Sequence, residues 1–196
     1  PLILKLIDSV TKLGIEIDTI CPDHGIIWRK DPGKIISAYA RWAKQVPKKK
    51  AVVVFDPMWH STEAMADEIV AGIASEGVRV RPMHIRSSHR SEIMTEVLDA
   101  AAVIVGSPTL NNQLFPTVSD FLTYMKGLKP INKIGAAFGS YGWSGEAVKM
   151  VNSALEDMKF DIIDPGVRLQ YVPDKAGLNA CFEFGKKIGK AIADQA

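Results

Sequence analysis

The sequence predicts an α/β protein with a doubly wound, five-stranded parallel sheet that carries helices on both faces. Two observations support this prediction. From residue 51 onward, short apolar runs alternate with segments whose apolar residues recur every three or four positions, as in amphipathic helices. The first run, 51–55, is apolar throughout, which is typical of a parallel strand covered on both faces. Repeated strand–helix units of this kind define the doubly wound class, in which ligands bind at the carboxyl ends of the strands.

Each element of this unit follows from its own pattern. Met65, Ile69 and Ile73 mark the first helix, and Gly77 is its expected stop. The strands are expected at 51–56, 78–85, 102–106 and 134–138, with a fifth between 161 and 171. The later helices are expected at 91–98, 118–125, 147–158 and 178–192.

The first 46 residues form a separate segment. An apolar stripe from Leu2 to Leu13 predicts a helix, 15–20 predicts a short strand, and Asp31 with Pro32 is expected to cap a second helix. So short a piece cannot usually bury a core of its own, and the chain opens without Met, so we expect a fragment. The polar run at 47–50 marks the boundary, which gives a small α/β remnant at 1–46 and the main domain at 47–196.

Composition excludes several classes of function. The chain has 196 residues, is 47% hydrophobic and has a net charge of +2, which argues against a nucleic-acid-binding protein. No apolar run approaches the roughly 20 residues that span a bilayer, so no membrane association is expected. Cys21 and Cys181 are too few for a disulfide framework, which favours a reducing cytoplasm. We expect both to be buried thiols rather than nucleophiles.

The loop after the first strand carries two adjacent hydroxyls, Ser61 and Thr62, where a helix begins. A helix amino terminus with free N–H groups and nearby hydroxyls favours a phosphate. The loop has neither the lysine of a nucleoside triphosphate loop nor the spacing of a dinucleotide fingerprint. An ordinary helix cap is an equally good explanation of these hydroxyls taken alone.

Two further loops follow the third and fourth strands, at 106–112 and 139–146. One contains Asn111 and Asn112, and the other contains Tyr141 and Trp143 among glycines. Amides and aromatic rings together suit a flat heteroaromatic ligand, which Trp59 of the first loop could also cover. Each residue taken singly is better explained by a turn or by packing, but three such loops converge at one edge of the sheet.

These loops resemble those of the flavodoxin-like FMN-binding domain of flavodiiron proteins, also called A-type flavoproteins. The resemblance covers residues 48–196. It implies that Ser61 and Thr62 hold the FMN phosphate, and that Trp59, Asn111, Tyr141, Gly142 and Trp143 contact the ring. The full set of implied cofactor-binding residues is Met58, Trp59, His60, Ser61, Thr62, Ser107, Pro108, Thr109, Leu110, Asn111, Asn112, Ser140, Tyr141, Gly142, Trp143, Ser144 and Gly145.

The segment 20–29 extends the resemblance, since it is similar to the last part of the metallo-β-lactamase-like domain of the same proteins. The resemblance implies that His24 is an iron ligand, but only together with a domain that this chain lacks, because one histidine cannot hold a diiron centre. For the intact protein it implies a head-to-tail homodimer. It also implies electron flow from rubredoxin or a reduced deazaflavin through FMN to iron that reduces dioxygen or nitric oxide. A histidine beside a glycine is otherwise more often a turn residue.

Two alternatives differ from this electron-transfer module. A self-sufficient flavin quinone or nitro reductase would share the fold but would carry no remnant of a metal domain. A receiver-type signalling domain shares the strand order, but its third strand should end in an aspartate, and here the sequence is Val105-Gly106-Ser107. No catalytic residue is expected in this chain, because a bound flavin supplies the chemistry.

Overall fold

The computed structural model describes residues 2–195 and divides between Val46 and Pro47 into two units. In the first unit, helix α1 (Leu2–Lys12) contacts helix α2 (Gly33–Lys44). The prediction of a strand at 15–20 is wrong. Of these residues only Ile20 pairs, in an isolated antiparallel bridge with Trp28.

The predicted cap of α2 is confirmed for the position of Pro32 and wrong for Asp31. The capping position is Pro32, which makes no side-chain hydrogen bond to the helix. Asp31 has a left-handed backbone (φ 52°), and its carboxylate pairs with Lys34 at 3.3 Å. The helix is therefore held by the packing of Ile35 and Ala38, both buried, rather than by a polar cap.

The second unit contains the alternating elements that the sequence predicts. Its strands are β1 (Lys48–Phe55), β2 (Arg79–His84), β3 (Ala100–Gly106), β4 (Thr109–Leu110), β5 (Gln113–Leu114), β6 (Ile134–Tyr141), β7 (Asp161–Ile162) and β8 (Val167–Gln170). Its helices are α3 (Ser61–Ser75), α4 (Arg90–Leu98), α5 (Pro116–Leu128), α6 (Glu146–Asp157) and α7 (Lys175–Ala193).

The main sheet has the order β2-β1-β3-β6, with β7 and β8 both beside β6, and every pairing in it is parallel. This is a doubly wound order with β3 at the centre, so the prediction of fold class is confirmed. The strand order reverses between β1 and β3, and the crevice at their carboxyl ends is where such sheets bind ligands.

Both faces of the sheet are buried, which explains the unbroken apolar run of β1. Val53 and Phe55 belong to a core shared with α3 and α7, whereas Val52 and Val54 belong to a core shared with α4, α5 and α6. Neither face can tolerate polar residues, so the alternation typical of a half-exposed strand is absent.

Helices α3 and α7 pack unusually close together. A Cβ atom added to Gly185 would lie 2.2 Å from the backbone oxygen of Ile69, which is far inside van der Waals contact. The contact therefore requires a residue without a side chain at this position of α7.

Three further features differ from the sequence expectations. The fifth strand is divided, because β7 pairs with the start of β6 and β8 pairs with its end. The Asn152 side chain donates to the Pro165 carbonyl between them at 2.8 Å. The hairpin β4–β5 was not expected. Cys21 is exposed, so the prediction that it is a buried thiol is wrong, whereas Cys181 is fully buried.

Within residues 2–195, no helix combines the length and the apolar character needed to cross a membrane.

Candidate cofactor site

The loops after β1, β3 and β6 meet at the carboxyl edge of the sheet. The backbone after β3 comes very close to the last residues of β6, since a Cβ atom on Gly139 would lie 2.0 Å from the Ser107 carbonyl oxygen. The Ser107 N–H donates to the Phe138 carbonyl at 3.1 Å. Only glycine at position 139 allows the loop after β3 to start directly against β6.

The loop after β3 is a hairpin whose turn residues are Asn111 and Asn112, both left-handed (φ 50° and 59°). Asparagine tolerates this backbone better than most residues, and two such residues form the tight turn that joins antiparallel strands. The Ser144 hydroxyl donates to Asn112 Oδ1 at 2.9 Å, and the Ala147 N–H donates to Thr109 Oγ1 at 3.3 Å. The hairpin is therefore fixed to the loop after β6.

Helix α3 begins without a side-chain cap. His60 occupies the capping position and makes no capping hydrogen bond. Its Nδ1 atom lies 2.9 Å from Glu63 Oε2 instead. Thr62 is fully buried, and its Oγ1 lies 2.8 Å from Ser140 Oγ. The ordinary-cap explanation of Ser61 and Thr62 is thus wrong for both residues, and the amino terminus of α3 stays open to an anion.

Asp56 is a fully buried carboxylate at the end of β1, directly before the first loop. The Arg86 Nε atom donates to its Oδ2 at 3.1 Å and forms an ion pair with its Oδ1 at 2.9 Å. The Thr117 hydroxyl also donates to Oδ2, at 2.5 Å. Arg86 Nη2 also donates to the Pro57 carbonyl at 3.4 Å. Because a buried carboxylate is stable only when it is paired, Asp56 ties the end of β1 to α5 and to the segment after β2.

Between the loops lies a cavity of about 400 Å³, within the range of small-molecule sites. The residues that line it carry no acidic or basic side chain. They are Met58, Trp59, Ser61, Pro108, Thr109, Ser140, Tyr141, Gly142, Tyr171 and Val172.

The structure places the predicted site residues in two groups. One group lines the cavity, and it consists of Met58, Trp59, Ser61, Pro108, Thr109, Ser140, Tyr141 and Gly142. The other group is in the same three loops but outside the cavity wall, and it consists of His60, Thr62, Ser107, Leu110, Asn111, Asn112, Trp143, Ser144 and Gly145. Of this second group, Thr62, Ser107, Asn112 and Ser144 make hydrogen bonds that hold the loops in place.

Two residues of the cavity wall, Tyr171 and Val172, follow β8 and were not expected in the site. Their place depends on the pairing of β8 with β6, which no local pattern reveals. Asp56 was also not expected as a structural carboxylate, although an acidic residue that ends an apolar strand is a visible signal.

Two wider grooves, of about 480 and 580 Å³, lie elsewhere in this unit. Charged side chains line both, including Arg86 and Arg90 in one and Lys149 and Arg168 in the other. Neither groove contains the open start of α3, so the cavity between the loops fits a flat ligand with a phosphate better.

His24 lies on an exposed bend between Ile20 and Trp28 in the first unit. Over the described part of the chain, no three histidine, cysteine, aspartate or glutamate side chains group together as metal ligands would. The iron-ligand role of His24 therefore stays a prediction for a longer protein.

The fold and this site define a flavin-binding domain of the flavodoxin class, and residues 53–185 match the family model named Flavodoxin. The nitric oxide reductase of Moorella thermoacetica is 48% identical to this chain, and the match covers 98% of this chain. The solved structure of rubredoxin oxygen:oxidoreductase from Desulfovibrio gigas superposes with a TM-score of 0.94 at 42% identity, over 98% of this chain. That of the flavodiiron protein from Giardia intestinalis superposes with a TM-score of 0.90 at 33% identity, over 96% of this chain.

The chain belongs to the flavodiiron proteins and carries their flavodoxin domain. It spans about half the length of these relatives, namely 49% of the Moorella protein and 48% of each solved chain. This membership favours the electron-transfer module over a self-sufficient quinone or nitro reductase, and the cofactor that a flavodoxin domain implies is FMN.

Proposed function

We propose that the cavity between the loops after β1, β3 and β6 binds FMN and makes this domain an electron-transfer module. The observation that carries the proposal is the uncapped start of α3, where Ser61 opens onto a cavity lined by Trp59 and Tyr141. An anion site beside aromatic walls at the switch point of a doubly wound sheet fits a flavin with a terminal phosphate.

The residues present fit the two ends of FMN differently. The Ser61 hydroxyl and the first N–H groups of α3 would hold the phosphate, with no acidic residue in the cavity wall to repel it. Trp59, Pro108, Tyr141 and Gly142 would hold the ring, and the bond between Thr62 and Ser140 would keep α3 against β6.

A bound flavin supplies electron transfer, so this chain needs no acid, base or nucleophile of its own. What its residues supply is a rigid site. The bond between Ser144 and Asn112 joins the loops after β3 and β6, and Asp56 anchors the start of the first loop to α5. These contacts would reduce the ordering entropy lost on binding.

For the intact protein, we propose an oxidoreductase that reduces dioxygen or nitric oxide. The names of the relatives support both substrates, since one is a nitric oxide reductase and another a rubredoxin oxygen:oxidoreductase. Rubredoxin or a reduced deazaflavin would supply the electrons. A diiron centre that includes His24, in a metallo-β-lactamase-like domain ending near residue 46, would accept them. We further propose a head-to-tail homodimer in the cytoplasm.

The first experiment is the visible spectrum of the purified chain after FMN is added and excess ligand is removed. A retained two-banded flavin spectrum is expected. A colourless protein that keeps no FMN would overturn the proposal.

The second experiment tests the phosphate site. Replacing Ser61 with alanine removes a hydrogen bond to a charged group, worth about 1.5–3 kcal/mol, so FMN affinity should fall roughly 10- to 100-fold. Riboflavin, which lacks the phosphate, should bind as before. Ser119→Ala, an exposed serine on α5, is the matched control and should change neither affinity. Equal losses for FMN and riboflavin in S61A would contradict the assignment.

A further inference from the structure

Tyr171, directly after β8, has a backbone conformation that a tyrosine rarely adopts. Its φ angle is +59°, in the left-handed region, where a side chain is strained and glycine or asparagine is preferred. Such outliers persist only where the surrounding structure holds them, and they cluster at ligand sites. Asn111 and Asn112 have the same conformation and carry asparagine, and Lys129 and Lys159 have it just after helices α5 and α6. Tyr171 follows a strand, so the end of a helix does not explain its conformation.

Two hydrogen bonds fix the end of β8 to the last residue of β6 and to the first residue of the loop that follows. The Tyr171 N–H donates to the Tyr141 carbonyl at 2.8 Å, and the Gln170 side chain donates to the Gly142 carbonyl at 2.9 Å. These are successive carbonyls of residues that line the cavity. The strain at Tyr171 is thus maintained by the segment that forms the cavity.

The Tyr171 ring contributes little to the core of the protein. The residue is 65% exposed, and Val172 beside it is 80% exposed. Yet both line the cavity, and a Cβ atom on Gly142 would stand 3.8 Å from Tyr171 Cε1, an ordinary contact distance. An exposed aromatic ring on a strained backbone does not stabilise the ligand-free protein. The contribution of Tyr171 is therefore expected in a contact between its ring and a ligand.

We propose that Tyr171 is a ring-binding residue of the cofactor site, held by β8 so that its side chain covers the isoalloxazine. This inference rests on the proposed FMN site and adds a wall to it from a fourth segment. The chemistry is that of aromatic stacking on a flat heteroaromatic ring, which adds affinity without reading the phosphate.

The test uses two substitutions at 171 and one elsewhere. Tyr171→Asn keeps the left-handed backbone at lower cost and removes the ring, whereas Tyr171→Phe keeps the ring. Lys159→Asn is the matched control, because Lys159 is also left-handed (φ 65°) but follows α6 and does not line the cavity. FMN and riboflavin dissociation constants, the position of the flavin absorption bands, and the melting temperature of the ligand-free chain are measured for each.

Y171N should weaken FMN and riboflavin equally, by about tenfold, and shift the bound flavin bands. The melting temperature of ligand-free Y171N should not fall. If Tyr171 had only a structural role, the substitution would lower that temperature. Y171F should bind like the parent chain, and K159N should change neither ligand.

Two results would overturn the inference while leaving the FMN site intact. One is parent-like binding and spectra in Y171N, and the other is a loss for FMN without any loss for riboflavin. Failure of the parent chain itself to bind FMN would instead overturn the proposed function, and this inference with it.

Discussion

The close packing of α3 against α7 makes a quantitative prediction for Gly185→Ala. The added Cβ atom would lie 2.2 Å from the Ile69 backbone oxygen, and neither atom can rotate away. The helices must separate by about 1 Å, and such overpacking costs about 1–3 kcal/mol, near the upper end where backbone is involved. Alanine returns up to about 1 kcal/mol through its better helix propensity. The expected net loss is about 2 kcal/mol of unfolding free energy.

Gly127 provides the matched control for this substitution. It lies in α5, and a Cβ atom there would meet nothing within 4 Å. Gly127→Ala should therefore be neutral or stabilise the chain by up to about 1 kcal/mol. Urea unfolding followed by far-ultraviolet circular dichroism gives both values. If G185A proved as stable as G127A, the close approach of the two helices would be refuted.

Three further predictions concern buried polar groups. Thr62→Val and Ser140→Ala should each lower the free energy of unfolding by about 1–3 kcal/mol, because either change leaves a buried hydroxyl unpaired. In a double-mutant cycle, the double variant should lose less than the sum of the two, and additive losses would contradict the bond. Burial lowers the pKa of Lys133 from 10.5 to about 8, so the unfolded chain binds more protons between these values. The free energy of unfolding should therefore rise between about pH 8 and 10.5, by up to about 3 kcal/mol more than in Lys133→Met. A difference between the two proteins that does not change with pH would contradict this prediction. Burial raises the pKa of Cys181 to about 12, so a thiol reagent should modify only Cys21 in the folded chain and both thiols after unfolding.

Much of the fold could be predicted because the sheet is buried on both faces. The apolar run of β1 and the helical stripe of Met65, Ile69 and Ile73 are local signals, and they suffice to place strand and helix. Strand β7 has only two residues and β8 only four, too short to show a period. Their positions are set by pairing with β6 and by the bond from Asn152 to the Pro165 carbonyl, both non-local.

The candidate site, like the fold, has features that the sequence predicts and others that it does not. The polar loops after β1 and β3 are visible in the sequence, because they interrupt apolar runs where a helix begins. Whether a hydroxyl faces the cavity or the interior is not visible. Ser61 and Thr62 are adjacent, yet one lines the cavity and the other is buried against Ser140. Tyr171 lies far along the chain from the first loop and reaches the cavity only through the sheet.

In the proposed complex, the open start of α3 would also link the abundance of the protein to the supply of its cofactor. A phosphate bound at the first turn would do what a capping side chain does in other helices, so the ligand would supply the cap that α3 lacks. By mass action, free ligand at 100 times its dissociation constant would add about 2.7 kcal/mol to the unfolding free energy. In a cell with little flavin, a larger fraction of this protein would be unfolded and would be degraded faster. The amount of folded protein would then follow the amount of cofactor available to bind it.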